Sequence, residues 1–254
     1  MNARATAALL AVVTLLPAQT MLAQDAEIRV FCSNGFRSAM EKLSPEAERI
    51  SGRRMKIEFG PSANFRKSIE AGEPFDLTIL TPQIIEDLIK EGKIAAGTKV
   101  DLASSGIGVA VRAGRAKPDI SSAVAIKKML LNAKSIGYVK VGAGTPAVLD
   151  MFNGLGISKD VESKTVLQEG AGPSMKSIAS GQVDVAFGLI SEIIPAPGVQ
   201  LAGPIPPEFQ RRIIMSSGIA ASTKNREAAS AIVKSLTSAA AATAIQSTGL
   251  EPIR

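Results

Sequence analysis

Short runs of apolar, β-branched residues alternate along the chain with segments in which apolar residues return every three or four positions. This exchange of a strand period for a helix period predicts strands at Glu27–Cys32, Met55–Phe59 and Phe75–Leu80. Helices at Phe36–Ser51 and Asn64–Ala71 fall between them, the rhythm of a parallel sheet covered by helices. In the first helix Phe36, Met40, Leu43, Ala47 and Ile50 share one face and Gly52 is the stop. Pro45 is expected to kink that helix or to start a second segment. Thr81-Pro82 reads as an N-cap followed by Pro at the first helical position, opening a helix with Ile85, Leu88 and Ile89 on its apolar face and Gly92 at its end.

After Asp101 the pattern restarts. Ser104-Ser105-Gly106 precedes an apolar strand, Ile107–Val111, and reads as a crossover into a second lobe. That lobe is expected to hold helices at Ser122–Ala133, Pro146–Leu155 and Ser174–Ser180, and strands at Ile136–Val139, Lys164–Leu167 and Val183–Leu189. The proline-rich Gly203-Pro204-Ile205-Pro206-Pro207 cannot donate ladder hydrogen bonds at its prolines and suits a return crossover. Arg212–Ser222 then reads as a strand, and Lys224–Ser247 as one long Ala-rich helix ended by Gly249. The expected fold is α/β with two lobes, each a mostly parallel sheet flanked by helices: residues 24–103 with 209–254, and residues 104–208. Two crossovers join them, and a ligand cleft lies between, where strand ends and helix starts face each other.

Composition narrows the chemistry. Residues 1–23 carry an early Arg4, an apolar run from Ala7 to Leu16, Pro17 and then Ala23, the pattern of a signal peptide cleaved near Ala23. The mature protein is expected in the periplasm as a monomer. Cys32 is the only cysteine, so no internal disulfide can form. The chain has no His, which removes the usual zinc and iron ligands and the imidazole-dependent triads; no metal and no cofactor is expected. Its 29 Lys and Arg against 23 Asp and Glu are scattered rather than clustered, and aromatics make up only 4%. That balance favours a small anionic ligand over nucleic acid.

Four strand-to-helix turns place small or polar residues where a helix begins: Ser33-Asn34-Gly35, Gly60-Pro61-Ser62-Ala63, Ala143-Gly144-Thr145 and Gly172-Pro173-Ser174. Amides at a helix start, with the partial positive charge of aligned peptide dipoles, are ready-made anion donors. A single such turn is usually only a cap. Four at corresponding places in two lobes outline an anion site in the cleft.

Several blocks carry a family resemblance: Val30-Phe31-Cys32-Ser33-Asn34-Gly35, Phe59-Gly60-Pro61-Ser62, Ile69-Glu70-Ala71-Gly72-Glu73-Pro74-Phe75-Asp76-Leu77, Gly142-Ala143-Gly144, and Ser180 through Gly188. With these the chain resembles the periplasmic molybdate-binding proteins, type 2 solute receptors of ABC importers, over essentially all of 24–254. The resemblance implies a tetrahedral oxyanion held by hydroxyl and backbone N–H donors, with an inner-membrane ABC permease as partner. Carried over by position, it implies a serine at Ser62 and a backbone donor at Ala143. The other serine position is Gly35 and the tyrosine position Leu189, so two hydroxyls are missing, and Ser33 or Asn34 would have to substitute.

Ser33-Asn34-Gly35 and Ser191-Glu192-Ile193 further resemble a divergent subgroup that is also similar to aconitate isomerase, which implies an alternative of another class. Interconverting cis- and trans-aconitate needs a base for a proton next to a carboxylate and donors for three carboxylates. Besides the turn residues and Ser191, the polar candidates near the expected cleft are Arg66, Lys67, Arg112, Tyr138 and, as the base, Glu192. Each has a structural alternative: Arg66 and Lys67 solvated on an early helix turn, Arg112 bracing the hinge, Tyr138 turned away from the ligand, Glu192 capping a short helix. A binding protein that feeds a signalling receptor would use the same cleft chemistry.

Overall fold

The computed structural model describes residues 27–253; the signal peptide read at 1–23 lies outside the described residues. Strand β1 (Ile28–Ser33) is buried along almost its whole length, as its continuous apolar run requires of a strand covered on both faces. It pairs in parallel with β2 (Met55–Gly60) and β3 (Leu77–Leu80). The helices between are α1 (Arg37–Ser51) and α2 (Ser62–Glu70), and α3 (Pro82–Lys90) follows β3 with Pro82 in its first turn. Helix α1 runs through Pro45 as one element. The missing amide leaves the Glu41 carbonyl without its helical donor, and the Ser44 hydroxyl supplies one at 3.3 Å.

The apolar stretch before Gly106 is itself a strand, β4 (Val100–Ser105), which the sequence reading took only as the approach to the crossover. The six-stranded first sheet has the order β11-β4-β10-β3-β1-β2. Here β10 (Ile213–Ile219) and the short β11 (Glu251–Pro252) run antiparallel to their neighbours, while β1 to β4 share one direction. The five-stranded second sheet has the order β7-β6-β8-β5-β9. In it β5 (Ile107–Arg112) alone is reversed, against β8 (Val185–Leu189) and β9 (Val199–Pro204), while β6 (Ile136–Val139) and β7 (Thr165–Gln168) run parallel to β8. The reversed strands β5 and β10 are the ones that follow the passages from one sheet to the other.

Those passages are locked together. Only Gly106 separates β4 from β5, and the Gln210 side chain, just after the 3₁₀ turn Pro207–Phe209, bonds both backbone groups of Ile107. Ile107 N donates to Gln210 Oε1 at 2.8 Å, and Gln210 Nε2 donates to the Ile107 carbonyl at 2.9 Å. The return passage starts later than expected, because Val199–Pro204 extends the second sheet as β9 with Pro204 at its end. Asp76, from the most specific block of the resemblance, organises the first sheet: its carboxylate accepts from the Arg29 amide at 2.8 Å, from Asn225 at 3.2 Å and from the Thr223 hydroxyl.

In the second lobe α4 (Ala123–Asn132), α5 (Thr145–Gly154), α6 (Ser158–Glu162), α7 (Ala171–Ser180) and α8 (Ile190–Ile193) complete the set. The expected C-terminal helix is two helices, α9 (Arg226–Leu236) and α10 (Ala239–Gln246), bent by 64°. Ser238 causes the break: its hydroxyl accepts from the Ala241 amide at 3.1 Å and restarts the helix as an N-cap. No single described helix is long and apolar enough to cross a membrane.

Candidate functional site

Facing loops at the strand ends of the two sheets enclose a cavity of about 50 Å³. The first lobe contributes Ser33, Asn34, Pro61 and Ser62; the second contributes Ile107, Tyr138, Val139, the loop Val141–Thr145, Ala171, Phe187, Gly188, Leu189 and Glu192. A volume so far below the roughly 300–1,000 Å³ of drug-sized pockets suits a small compact guest. The starts of α2, α5 and α7 border it, and each is long enough for its peptide dipoles to add. At α5, Thr145 Oγ1 donates to the Val139 carbonyl at 2.6 Å and accepts from Gly142 N at 3.2 Å, which closes the loop and holds Ala143 and Gly144 against the cavity. Thr145 therefore shapes the site through its loop.

Ser62 opens α2 at the cavity wall. Only 7% exposed, its hydroxyl is buried without a hydrogen-bond partner. Buried polar atoms are nearly always paired, so an orphan at a cavity wall is a donor awaiting a guest. Tyr138 is half-buried, stands edge-on to Phe152 at 6.0 Å between ring centroids, and its phenol is raised above its ordinary pKa by burial. Glu192 is the one charged side chain lining the cavity. It occupies the first turn of α8 and accepts from Leu189 N at 3.3 Å. Burial pushes its carboxyl up to about 7, opposed by that amide and by the Arg37 charge.

Several expected contacts lie elsewhere. Arg66 is engaged by three carboxylates, Glu70 at 2.7 Å, Asp87 at 2.9 Å and Glu91 at 3.1 Å, and does not reach the cavity. Arg112 sits exposed at the far end of β5, five residues and so about 17 Å along the strand from the cavity-lining Ile107. Ser174 lies a full turn inside α7, because that helix starts at Ala171, three residues earlier than expected; the side chain is wholly buried and off the cavity. Ser191 donates to the Gly35 carbonyl at 2.9 Å, tying the second lobe to the first, and lines no part of the cavity. Ala63 does not line it, and Lys67 is exposed.

Gly35 is also absent from the lining, and its neighbours explain why. A Cβ there would meet Met215 Cε at 2.5 Å and Leu189 Cδ1 at 2.7 Å. The residues at the two positions without hydroxyls thus complement each other: the leucine fills the space beside the glycine. Cys32 is buried, and burial holds its thiol far above the ordinary range, so it is packing and not a nucleophile.

The sequence reading missed Arg37. It lies over the Phe59 ring at 4.1 Å, donates to Asn34 Oδ1 at 3.3 Å, and pairs with Glu41 at 3.5 Å. With Lys176 it lines a wider groove of about 490 Å³ that adjoins the cavity through Asn34, Ala171 and Glu192. Its position one turn after the first loop was the available signal, but only the packing of α8 against that turn makes it part of the cleft.

Comparisons with known proteins fit this geometry. A family model described as bacterial extracellular solute-binding protein matches residues 28–251. The chain is 29% identical over 252 residues, 97% of its length and 94% of the relative's, to aconitate isomerase of a Pseudomonas species. It is 27% identical to the molybdate-binding protein ModA of Azotobacter vinelandii over 175 residues, 67% of this chain and 68% of the relative. The solved periplasmic molybdate-binding protein of the same organism superposes with a TM-score of 0.76 at 19% identity, covering 90% of this chain and 100% of that one.

Proposed function

The chain belongs to the bacterial extracellular solute-binding proteins, and from that premise we propose that it captures a small anion, a molybdate-like oxyanion or a polycarboxylate, by closure of its two lobes. In this reading residues 24–103 with 209–254 form one lobe and 104–208 the other. The protein works as a monomer in the periplasm after cleavage near Ala23 and delivers its guest to an inner-membrane ABC permease. The observation that carries the reading is the orphan Ser62 hydroxyl at a small cavity bordered by three helix starts. Donors fixed in advance hold an anion without a cationic side chain and without reorganisation on binding.

The test is a thermal-shift screen of the mature protein with molybdate, tungstate, sulfate, phosphate, citrate and the two aconitates. At a hundred times its Kd a ligand adds about 2.7 kcal/mol, which for a chain of this size raises Tm by roughly 5–10 °C. A flat Tm with all seven anions overturns the reading.

A second reading rests on Glu192 and on the isomerase relative. A carboxyl held near neutrality beside a groove carrying Arg37 and Lys176 could serve a tricarboxylate as base. The carboxylate would take a proton from the methylene carbon, the electron pair would spread over the allylic carbons into a neighbouring carboxylate, and the proton would return at the other terminal carbon. Conversion of cis- to trans-aconitate that is lost in Glu192→Gln would establish it; binding of aconitate with no conversion would leave the receptor.

A further inference from the structure

An anion site usually repels carboxylates from its walls, yet the one charged side chain lining this cavity is acidic. Glu192 is built into the wall and cannot swing aside easily, because its carboxylate accepts from the Leu189 amide at the start of α8, and the next residue back, Ser191, is bonded to Gly35 across the cleft. The groups facing it are few. Arg37, on α1, is shared with Glu41, Asn34 and the Phe59 ring. Lys176, on α7, lines the adjoining groove, and the Tyr138 phenol, on β6, lies on the cavity wall. Cys32 is held as a neutral thiol by burial. Among the described residues no ion pair joins Glu192 to any of these.

Two negative charges confined a few ångströms apart in a space that holds little water do not both persist; one takes a proton. A fully ionised guest has none to give. Building on the anion-capture reading, we propose that Glu192 acts in the complex as a neutral acid, donating its O–H to the bound anion, so that above neutrality each anion captured takes up close to one proton from solution. The residue thereby sets specificity: it rejects anions at alkaline pH and adds a hydroxyl-type donor to the set below neutrality. Burial already favours the protonated form before a guest arrives, and the guest's charge strengthens that preference.

Molybdate and sulfate serve as probes because neither changes its own charge from mildly acidic to alkaline pH. Calorimetric titration of the mature wild type should show Kd nearly constant below neutrality and rising about tenfold per unit above it, an increase on the order of a hundredfold between about pH 6 and pH 9. Titrations in buffers of different ionisation enthalpy at about pH 8 should register close to one proton taken up per anion. Glu192→Gln, whose amide donates without titrating, should bind with a flat pH profile, whereas Glu192→Ala should bind at least about tenfold more weakly at pH 6. A flat wild-type profile, no proton uptake, or the same slope in Glu192→Gln overturns the proposal and leaves anion capture standing. Failure of molybdate, sulfate and every other anion of the thermal-shift screen to bind the wild type at any pH overturns anion capture, and this proposal with it.

Discussion

Gly35→Ser puts a hydroxyl where the family resemblance implies one, and the structure says what resists it. The new Cβ would lie 2.5 Å from Met215 Cε and 2.7 Å from Leu189 Cδ1, when carbon atoms are comfortable at about 3.5–4.0 Å. Each neighbour must retreat by about 1 Å, and both are buried, Met215 completely and Leu189 at 4% exposure. Overpacking of that kind costs about 1–3 kcal/mol, and the flexibility of a methionine tip puts the expected value near 2 kcal/mol. Leu189→Ala alone costs about 2–4 kcal/mol through lost burial. The double variant should be more stable than the sum of the singles predicts by at least about 1 kcal/mol, since the alanine vacates part of the space the serine needs. Urea unfolding of the four proteins, with m unchanged, measures the cycle. Additivity within about 0.5 kcal/mol would refute the claim that these positions complement each other. The same pair tests the resemblance: molybdate should bind the double variant more tightly than Leu189→Ala alone.

Ser62→Ala should weaken binding of any anion that stabilises the wild type by about tenfold or more, without lowering the Tm of the empty protein, because its hydroxyl has no protein partner to lose. Arg66→Ala should lower Tm in a salt-sensitive way through its three carboxylate partners and leave anion affinity unchanged; lost affinity would return Arg66 to the site. Ser238→Ala should cost about 1 kcal/mol in urea unfolding through the lost N-cap of α10. Glu192 has a folded pKa raised from 4.5 to about 7, so the folded state holds its proton more tightly than the unfolded chain. Its contribution to stability is therefore present at acid pH and lost as pH rises from about 4.5 to about 7; Glu192→Gln should remove that decline, read as Tm against pH in the absence of ligand.

Most of the fold was legible because period and punctuation agree. The runs around Val30, Ile57 and Ile79 can be little else than strands, and Thr81-Pro82 and Gly52 mark helix ends where the structure has them. The misses have local causes. Val100–Ser105 mixes Asp101, Ser104 and Ser105 into a strand whose polar side chains find tertiary partners in Ser216, Arg212 and the Ser191 amide, so its polarity disguised it. The 226–246 segment carries an unbroken helical composition, and one serine, Ser238, restarts it. Of the site, the turns at 33–34, 62 and 143–145 were readable from small and polar residues at helix starts. Arg66 and Ser191 were misjudged for one shared reason: polar side chains near a cleft look alike in sequence, and only tertiary contacts show which are already bonded to protein.

That distinction also explains how the site separates charge from grip. The cations of the first lobe beside the cleft already have partners, Arg66 in three carboxylates and Arg37 in Glu41, Asn34 and the Phe59 ring, and neither lines the small cavity itself. A guest held by a free Lys or Arg would gain affinity at the expense of selectivity, since a mobile point charge accepts any anion that fits. In the anion-capture reading, fixed amides and the orphan Ser62 hydroxyl would discriminate by geometry instead. Across the cleft, Ser191 bonds the Gly35 carbonyl at 2.9 Å and the next residue is Glu192, so a movement that parts the lobes breaks that bond and carries Glu192, fixed in its own wall, away from Ser62 on the other. Ser191→Ala, which cuts that tie while leaving the cavity wall intact, should accelerate anion release in stopped-flow measurements more than it slows capture; an unchanged release rate would separate the cross-lobe bond from retention.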